Sequence, residues 1–218
     1  MTPQYPRSDE RRRMVEQQIE ARGITDPRVL AAMRDVPRHL FIPSPCDQDA
    51  YADTPLPIGN NQTISQPYIV ALMTGLLHPK ATDTVLEIGA GSGYQAAILS
   101  ALVRKVITIE RIKEVAARAK ANLEAVHADN VTIVLGDGTL GYPPAAPYNG
   151  IIITAATPEI PGPLKTQIAE GGRLVAPVGD RILQELVVLE RHGDRFTEER
   201  HGGVRFVPLI GEHGWEEN

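Results

Sequence analysis

The feature that most constrains the fold is an alternation of short apolar runs and amphipathic helices in the middle of the chain. The predicted strands are Thr84–Ile88, 106–109, Val131–Leu135, 151–154 and 174–178, with predicted helices at 94–102 and 112–126. Largely apolar runs of this length are typical of strands buried on both faces of a parallel sheet that helices cover. We therefore predict an α/β fold with a doubly wound, mostly parallel sheet.

Two short helices are predicted before this core. Ser8 is a candidate cap for the first helix, and Gly23 ends it. Asp26 followed by Pro27 predicts the start of a second helix, which Pro37 ends.

Residues 37–67 carry six prolines and the turn-forming run Gly59-Asn60-Asn61, which excludes a long regular element. Apolar anchors at 40–42 and 56–58 favour an ordered lid or substrate-binding collar. A helix is predicted to follow Ser65, with Pro67 in its first turn.

Composition excludes several classes of protein. The 218 residues include 22 Lys and Arg against 27 Asp and Glu, a net charge of −5, which argues against binding to nucleic acid. No run of 18 apolar residues and no signal peptide are present, so we expect a cytoplasmic protein without a membrane partner. The single cysteine, Cys46, excludes a disulfide framework, and the six histidines share no metal-ligand spacing, so no metal is predicted.

A glycine-rich turn follows the first core strand, where Gly89, Gly91 and Gly93 form the pattern G-x-G-x-G before a helix. A nicotinamide dinucleotide site is written G-x-G-x-x-G, so Gly93 comes one position early for it. Glu87 also stands two residues before the first glycine, and an acid is better tolerated by S-adenosylmethionine, which has no phosphate and carries cationic groups. The turn alone favours S-adenosylmethionine but leaves both cofactors open.

Acids follow the next two predicted strands. Glu110, 21 residues beyond Gly89, can accept hydrogen bonds from ribose hydroxyls, a position that dinucleotide enzymes share. Asp137 can accept from an adenine amino group while the backbone of Gly138 closes over the ring. Strand-end acids meet at the carboxyl edge of a parallel sheet, so a nucleoside site is predicted there.

The last two predicted strands, 185–190 and 204–209, have no helix between them and are expected to pair antiparallel at the far edge of the sheet. We predict one domain over 1–218. Its parts are the N-terminal helices and collar (1–80), a cofactor-binding core (81–180) and the C-terminal strands (181–218).

Five blocks of sequence resemble the protein-L-isoaspartate (D-aspartate) O-methyltransferase family, a class of S-adenosylmethionine-dependent, Rossmann-like enzymes. The blocks begin at Val36-Pro37-Arg38-His39, Gln62-Thr63-Ile64-Ser65-Gln66-Pro67-Tyr68, Gly136-Asp137-Gly138, Gly171-Gly172-Arg173 and Val204-Arg205-Phe206-Val207. Two places depart from the commoner text: Asn149 stands where an aspartate is usual, and Asn60-Asn61 replace a more glycine-rich pair.

The resemblance implies methyl transfer from S-adenosyl-L-methionine to the free α-carboxylate of an L-isoaspartyl residue in a damaged protein or peptide, with S-adenosyl-L-homocysteine as product. It places the catalytic serine at Ser65, which with Val207 is also expected to contact substrate. The implied cofactor-binding residues are Thr63, Ile64, Gly89, Gly91, Gly93, Glu110, Asp137 and Gly138. A monomer is expected.

Three alternatives stay open. Ser65 can instead be only a helix N-cap before Pro67. The enzyme can act on a small-molecule carboxylate, with the same cofactor residues and a different collar. The chain can also be a non-catalytic module that binds S-adenosylmethionine or damaged peptides.

Overall fold

The computed structural model describes residues 5–217. The α-helices are α1 Ser8–Met14, α2 Pro27–Asp35, α3 Pro67–Leu77, α4 Tyr94–Ser100, α5 Lys113–Ala125 and α6 Gly162–Thr166. The strands are β1 Leu56–Gly59, β2 Gln62–Ile64, β3 Thr84–Ile88, β4 Lys105–Glu110, β5 Val131–Leu135, β6 Tyr148–Ile153, β7 Ile168–Gly179, β8 Gln184–His192 and β9 Arg195–Val204. No helix in the described part of the chain is long and apolar enough to cross a membrane.

Seven strands form the main sheet in the order β5-β4-β3-β6-β7-β8-β9. The strands from β5 to β7 are parallel, and β8 and β9 continue the sheet antiparallel. The predicted α/β fold, with a doubly wound, mostly parallel sheet and an antiparallel edge, is confirmed. Strand β3 has β4 on one side and β6 on the other, so the strand order reverses there and a ligand crevice is expected at its carboxyl end.

Apolar side chains cover both faces of the sheet, as the sequence pattern predicts. All five residues of β3 are buried. Leu86 and Ile88 belong to the cluster on one face, and Val85 belongs to a larger cluster on the other. That larger cluster also contains Met14, Phe41 and Leu56, so the N-terminal helices and the collar share a core with the sheet.

The N-terminal helices differ in detail from the prediction. Ser8 is the first residue of α1, and the residue before it, Arg7, occupies the N-cap position without a side-chain cap, so the capping role predicted for Ser8 is wrong. The chain continues as a π-helical turn and a 3-10 turn until Gly23, at φ +92°, ends it as predicted. Asp26 caps α2 by accepting from the Arg28 N–H at 2.8 Å, as predicted.

The proline-rich segment is ordered. It contains two 3-10 helices, Arg38–Phe41 and Ser44–Asp49, and then the antiparallel β1–β2 hairpin. Phe41 and Leu56 are buried, whereas Leu40, predicted as an anchor, is 37% exposed.

The structure corrects the predicted pairing of the C-terminal strands. Strand β8 pairs with β9 (Arg195–Val204), and of the predicted strand 204–209 only Val204 takes part in this pairing. The sequence of β9 is polar and mostly exposed, so it lacks the apolar pattern that would have revealed an edge strand. Residues 205–209 instead turn back toward the core, where Ala156 N–H donates to Val207 O at 2.7 Å and Leu209 N–H donates to Ala156 O at 2.7 Å.

Candidate active site

A cleft lies at the carboxyl ends of β3 and β4, between the β1–β2 hairpin and the chain that follows β9. Eight of the ten residues predicted for the site line it: Thr63, Ile64, Ser65, Gly89, Gly91, Glu110, Gly138 and Val207. Gly93 and Asp137 lie close by without lining it.

The glycine turn follows β3 directly. Gly89 has φ +96°, and a Cβ there would lie 2.6 Å from Thr154 Oγ1, so a larger residue would have to displace that hydroxyl. Gly93, at φ +88°, packs against α5 instead, because a Cβ would meet Leu123 Cγ at 3.2 Å. Gly89 and Gly91 therefore shape the cleft, and Gly93 permits close packing of the helices behind it.

Glu110 is 7% exposed at the end of β4 and is held by three backbone donors. Its Oε1 accepts from the N–H groups of Arg111 and Ile112 at 2.9 and 3.0 Å. Its Oε2 accepts from the Gly91 N–H at 3.0 Å. Oε2 thus has one backbone donor and can accept another hydrogen bond from a ligand hydroxyl.

The carboxylate of Asp137 accepts hydrogen bonds from other residues of the chain. Its Oδ1 accepts from the N–H and the hydroxyl of Thr139 at 2.8 and 2.7 Å, and its Oδ2 accepts from the Glu212 N–H at 2.8 Å. Burial alone would raise its pKa, but these hydrogen bonds bring it below the ordinary value. The predicted contact with an adenine amino group stays a prediction.

Ser65 lies between β2 and α3 and is half-buried at the cleft. The N-cap position of α3 belongs to Gln66, so the structure contradicts the alternative that Ser65 is its N-cap. Among residues 5–217 the Ser65 hydroxyl has no hydrogen-bond partner, although it can both donate and accept.

Sequence reasoning left Glu87 out of the predicted site residues. This side chain lines the cleft, is fully buried, and has no hydrogen-bond donor within residues 5–217 at either oxygen. Burial, with a smaller contribution from the charge of Glu110, raises its pKa to about 8, and the nearby Thr108 hydroxyl offsets part of this rise. The available signal was a single acid inside an otherwise buried, apolar parallel strand.

The two departures from the family text lie in different places. Asn60 and Asn61 form the turn of the β1–β2 hairpin at φ +51° and +56°, and both line the cleft. Asn60 Oδ1 accepts from Arg118 Nη2 at 2.8 Å, so the hairpin tip is joined to α5. Asn149 accepts from the Thr84 N–H at 3.0 Å and lies away from the cleft, at the start of β6.

Solved structures share this fold. One named protein-L-isoaspartate O-methyltransferase aligns with TM-score 0.84 at 27% identity, covering 95% of this chain and 67% of the other. A second, from Plasmodium falciparum in complex with S-adenosyl-L-homocysteine, aligns with TM-score 0.80 over 92% of this chain and 98% of its own, and its 24% identity supports the shared fold alone.

Sequence comparisons are more specific. Relatives named protein-L-isoaspartate O-methyltransferase include one from Methanoregula boonei, 71% identical over 99% of this chain and 100% of its own length. Another, from Methanospirillum hungatei, is 61% identical over 96% and 97%. The model of the family described as protein-L-isoaspartate(D-aspartate) O-methyltransferase matches residues 9–214. The resemblance noted in the sequence is thus confirmed, and the chain belongs to the protein-L-isoaspartate(D-aspartate) O-methyltransferase family.

Proposed function

We propose that this chain transfers the methyl group of S-adenosyl-L-methionine to the free α-carboxylate of an L-isoaspartyl residue in a damaged protein or peptide. The methyl ester then permits repair through a succinimide. The observation that carries this proposal is the family match over residues 9–214.

The cleft residues fit a ligand that is a nucleoside at one end and a cation at the other. Glu110 Oε2 can accept from a ribose hydroxyl. The two buried oxygens of Glu87 need hydrogen-bond donors, and an α-ammonium group carries three. When bound, S-adenosyl-L-methionine supplies an electrophilic methyl group on a sulfonium. A pyrophosphate would face two acids here, which disfavours a dinucleotide.

The acceptor needs no general base. A carboxylate has a pKa of about 4 and is already ionised at neutral pH. No histidine of the described chain lines the cleft. The Ser65 hydroxyl, free of other partners, can donate to one carboxylate oxygen and orient the other toward the methyl group. Val70 and Met73 line the same region and limit the access of water.

The segment at Val207 supports binding of a peptide main chain. Val207 O accepts a hydrogen bond from Ala156 N–H, while the Val207 N–H has no acceptor among residues 5–217. An extended peptide can therefore pair with this segment by main-chain hydrogen bonds, independently of its side chains. Such pairing suits an enzyme that meets isoaspartyl residues in many sequences.

Labelled S-adenosyl-L-methionine tests the proposal when the protein is given an isoaspartyl peptide, its aspartyl twin, or a small N-acylated amino acid. Base-labile label on the isoaspartyl peptide alone is expected. Label on the small carboxylate with none on the peptide would favour a small-molecule methyltransferase. Binding of S-adenosyl-L-homocysteine with no transfer would favour a non-catalytic module.

We further propose that the enzyme acts as a monomer, as expected from the sequence. Sedimentation at assay concentrations checks this. The single-domain organisation and the cytoplasmic location expected from the sequence stay predictions.

A further inference from the structure

The first turn of α3 is capped from the collar. Pro67, its first residue, has no N–H, and the next amide, Tyr68 N–H, donates to Asp53 Oδ1 at 3.4 Å. The N-cap residue Gln66 makes no side-chain cap of its own. Asp53 lies 15 residues before Tyr68 in the chain. It thus caps the first turn of α3, the role that the sequence suggested for Ser65.

Asp53 also joins two other segments to this turn. Its Oδ2 accepts from Gln66 Nε2 at 2.6 Å and from Arg22 Nη1 at 2.8 Å. The Arg22 guanidinium lies 3.4 Å from the centroid of the Tyr68 ring. The Asp53 side chain is 27% exposed, so these charge-assisted contacts are partly shielded from solvent.

Ser65 lies between two points that are held in place. On one side Ile64 pairs with Leu56 in the β1–β2 hairpin. On the other side Gln66 is bonded to Asp53. The Ser65 hydroxyl takes part in neither contact and remains available to a ligand in the cleft.

We propose that Asp53 is a positioning residue for methyl transfer, which holds the turn at Ser65 so that the serine hydroxyl faces the acceptor carboxylate. This rests on the proposed function. In-line transfer depends on the placement of the reacting atoms, and a misplacement of about 1 Å costs about a hundredfold in rate. Losing the Asp53 contacts therefore affects turnover more than binding of the cofactor, which other residues hold.

The test compares Asp53→Ala, Ser65→Ala and the double variant on an isoaspartyl peptide, with Asp26→Ala as the matched control. Asp26 likewise caps a helix and pairs with an arginine, Arg28, but does so at α2 and away from the cleft. We expect Asp53→Ala to lower kcat about tenfold while the Kd for S-adenosyl-L-homocysteine changes less than about twofold. In the Ser65→Ala background it should lower kcat no further.

Two variants guard against a simple loss of folding. Asp53→Asn retains an acceptor oxygen and should recover part of the rate. Gln66→Ala removes one contact, leaves the Asp53–Arg22 ion pair, and should lower kcat in the same direction. Asp26→Ala should lower the melting temperature with near-wild-type kcat.

The positioning role is overturned if Asp53→Ala keeps wild-type kcat, or if Asp26→Ala lowers kcat as much as Asp53→Ala does. It is also overturned if the double variant shows the product of the two separate reductions in kcat. In each case wild-type esterification of the peptide would leave the proposed function standing. A folded wild-type protein that esterifies no isoaspartyl peptide overturns both.

Discussion

The backbone N–H of Gly91 donates to Oε2 of Glu110 at 3.0 Å, so the acid that ends β4 also holds the glycine turn that follows β3. Two further amides, from Arg111 and Ile112, hold Oε1 of the same carboxylate. These hydrogen bonds fix the orientation of the Glu110 side chain before a ligand binds. Ligand binding therefore carries little entropic cost for ordering this side chain.

Replacing this carboxylate should weaken cofactor binding. Glu110→Ala removes the acceptor for the ribose and frees the turn at Gly91, so we expect a loss of about 1 to 3 kcal/mol in the binding of S-adenosyl-L-methionine. Glu110→Gln should also lose affinity, because its amide nitrogen cannot accept from backbone N–H groups. Calorimetric titration measures both, and unchanged affinity in either variant would contradict the assignment.

Cofactor binding should release a proton from Glu87. Its raised pKa of about 8 means that the free protein holds this carboxyl mostly protonated at neutral pH, whereas an ammonium group pairs with the ionised form. Affinity for S-adenosyl-L-homocysteine should then rise with pH and level off above about 8. Calorimetry in two buffers of different ionisation enthalpy counts the protons.

The matched controls for this effect are Glu87→Gln and 5′-methylthioadenosine, which lacks the amino-acid tail. Proton release should vanish with either. Equal proton release by wild type and Glu87→Gln would mean that another group titrates.

The same group should make the stability of the free protein depend on pH. Its folded pKa of about 8 exceeds the ordinary 4.5, so its contribution is largest below 4.5 and is lost as the pH rises toward 8. Glu87→Gln cannot ionise, so the difference in unfolding free energy between the two proteins should change across that window. A constant difference in denaturant titrations from pH 5 to pH 8 would contradict the raised pKa.

Asp137 is predicted to contact the adenine amino group while it anchors Thr139 and Glu212. Asp137→Ala should therefore weaken binding of S-adenosyl-L-homocysteine by about 1 to 3 kcal/mol and also lower the melting temperature. An analogue without the 6-amino group separates the two roles. Wild type should bind it more weakly than the parent, and the variant should bind both ligands alike. Preference for the parent in the variant would leave Asp137 with its structural role only.

Features of the fold that depend on local chemistry could be predicted from the sequence. The parallel strands, the glycine turn and the strand-end Glu110 follow from apolar runs, from backbone freedom and from the shared carboxyl edge of a sheet. Strand β9 could not be predicted, because its exposed side chains carry no apolar period. The first predicted strand of the C-terminal pair, 185–190, lies within β8, but the second was predicted at 204–209, one segment too late.

Contacts between distant segments of the chain could not be predicted from the sequence either. The cap of α3 comes from Asp53, and nothing in the sequence around Ser65 indicates that an acid in the collar replaces it. Glu87 was visible as an acid in an apolar strand, but only the structure places it fully buried, without a donor, in the wall of the cleft.

The most direct measurement is the initial rate of methyl ester formation by wild type, Ser65→Ala and Ser65→Gly on an isoaspartyl peptide and its aspartyl twin, with melting temperatures taken alongside. Because Ser65 caps no helix, Ser65→Ala should melt close to wild type. We expect ester on the isoaspartyl peptide alone and a fall in kcat/KM of about tenfold or more in both variants. Equal rates on the two peptides would contradict the proposal that the substrate is an isoaspartyl residue. Wild-type turnover in folded Ser65→Ala would contradict the proposal that the Ser65 hydroxyl binds its carboxylate.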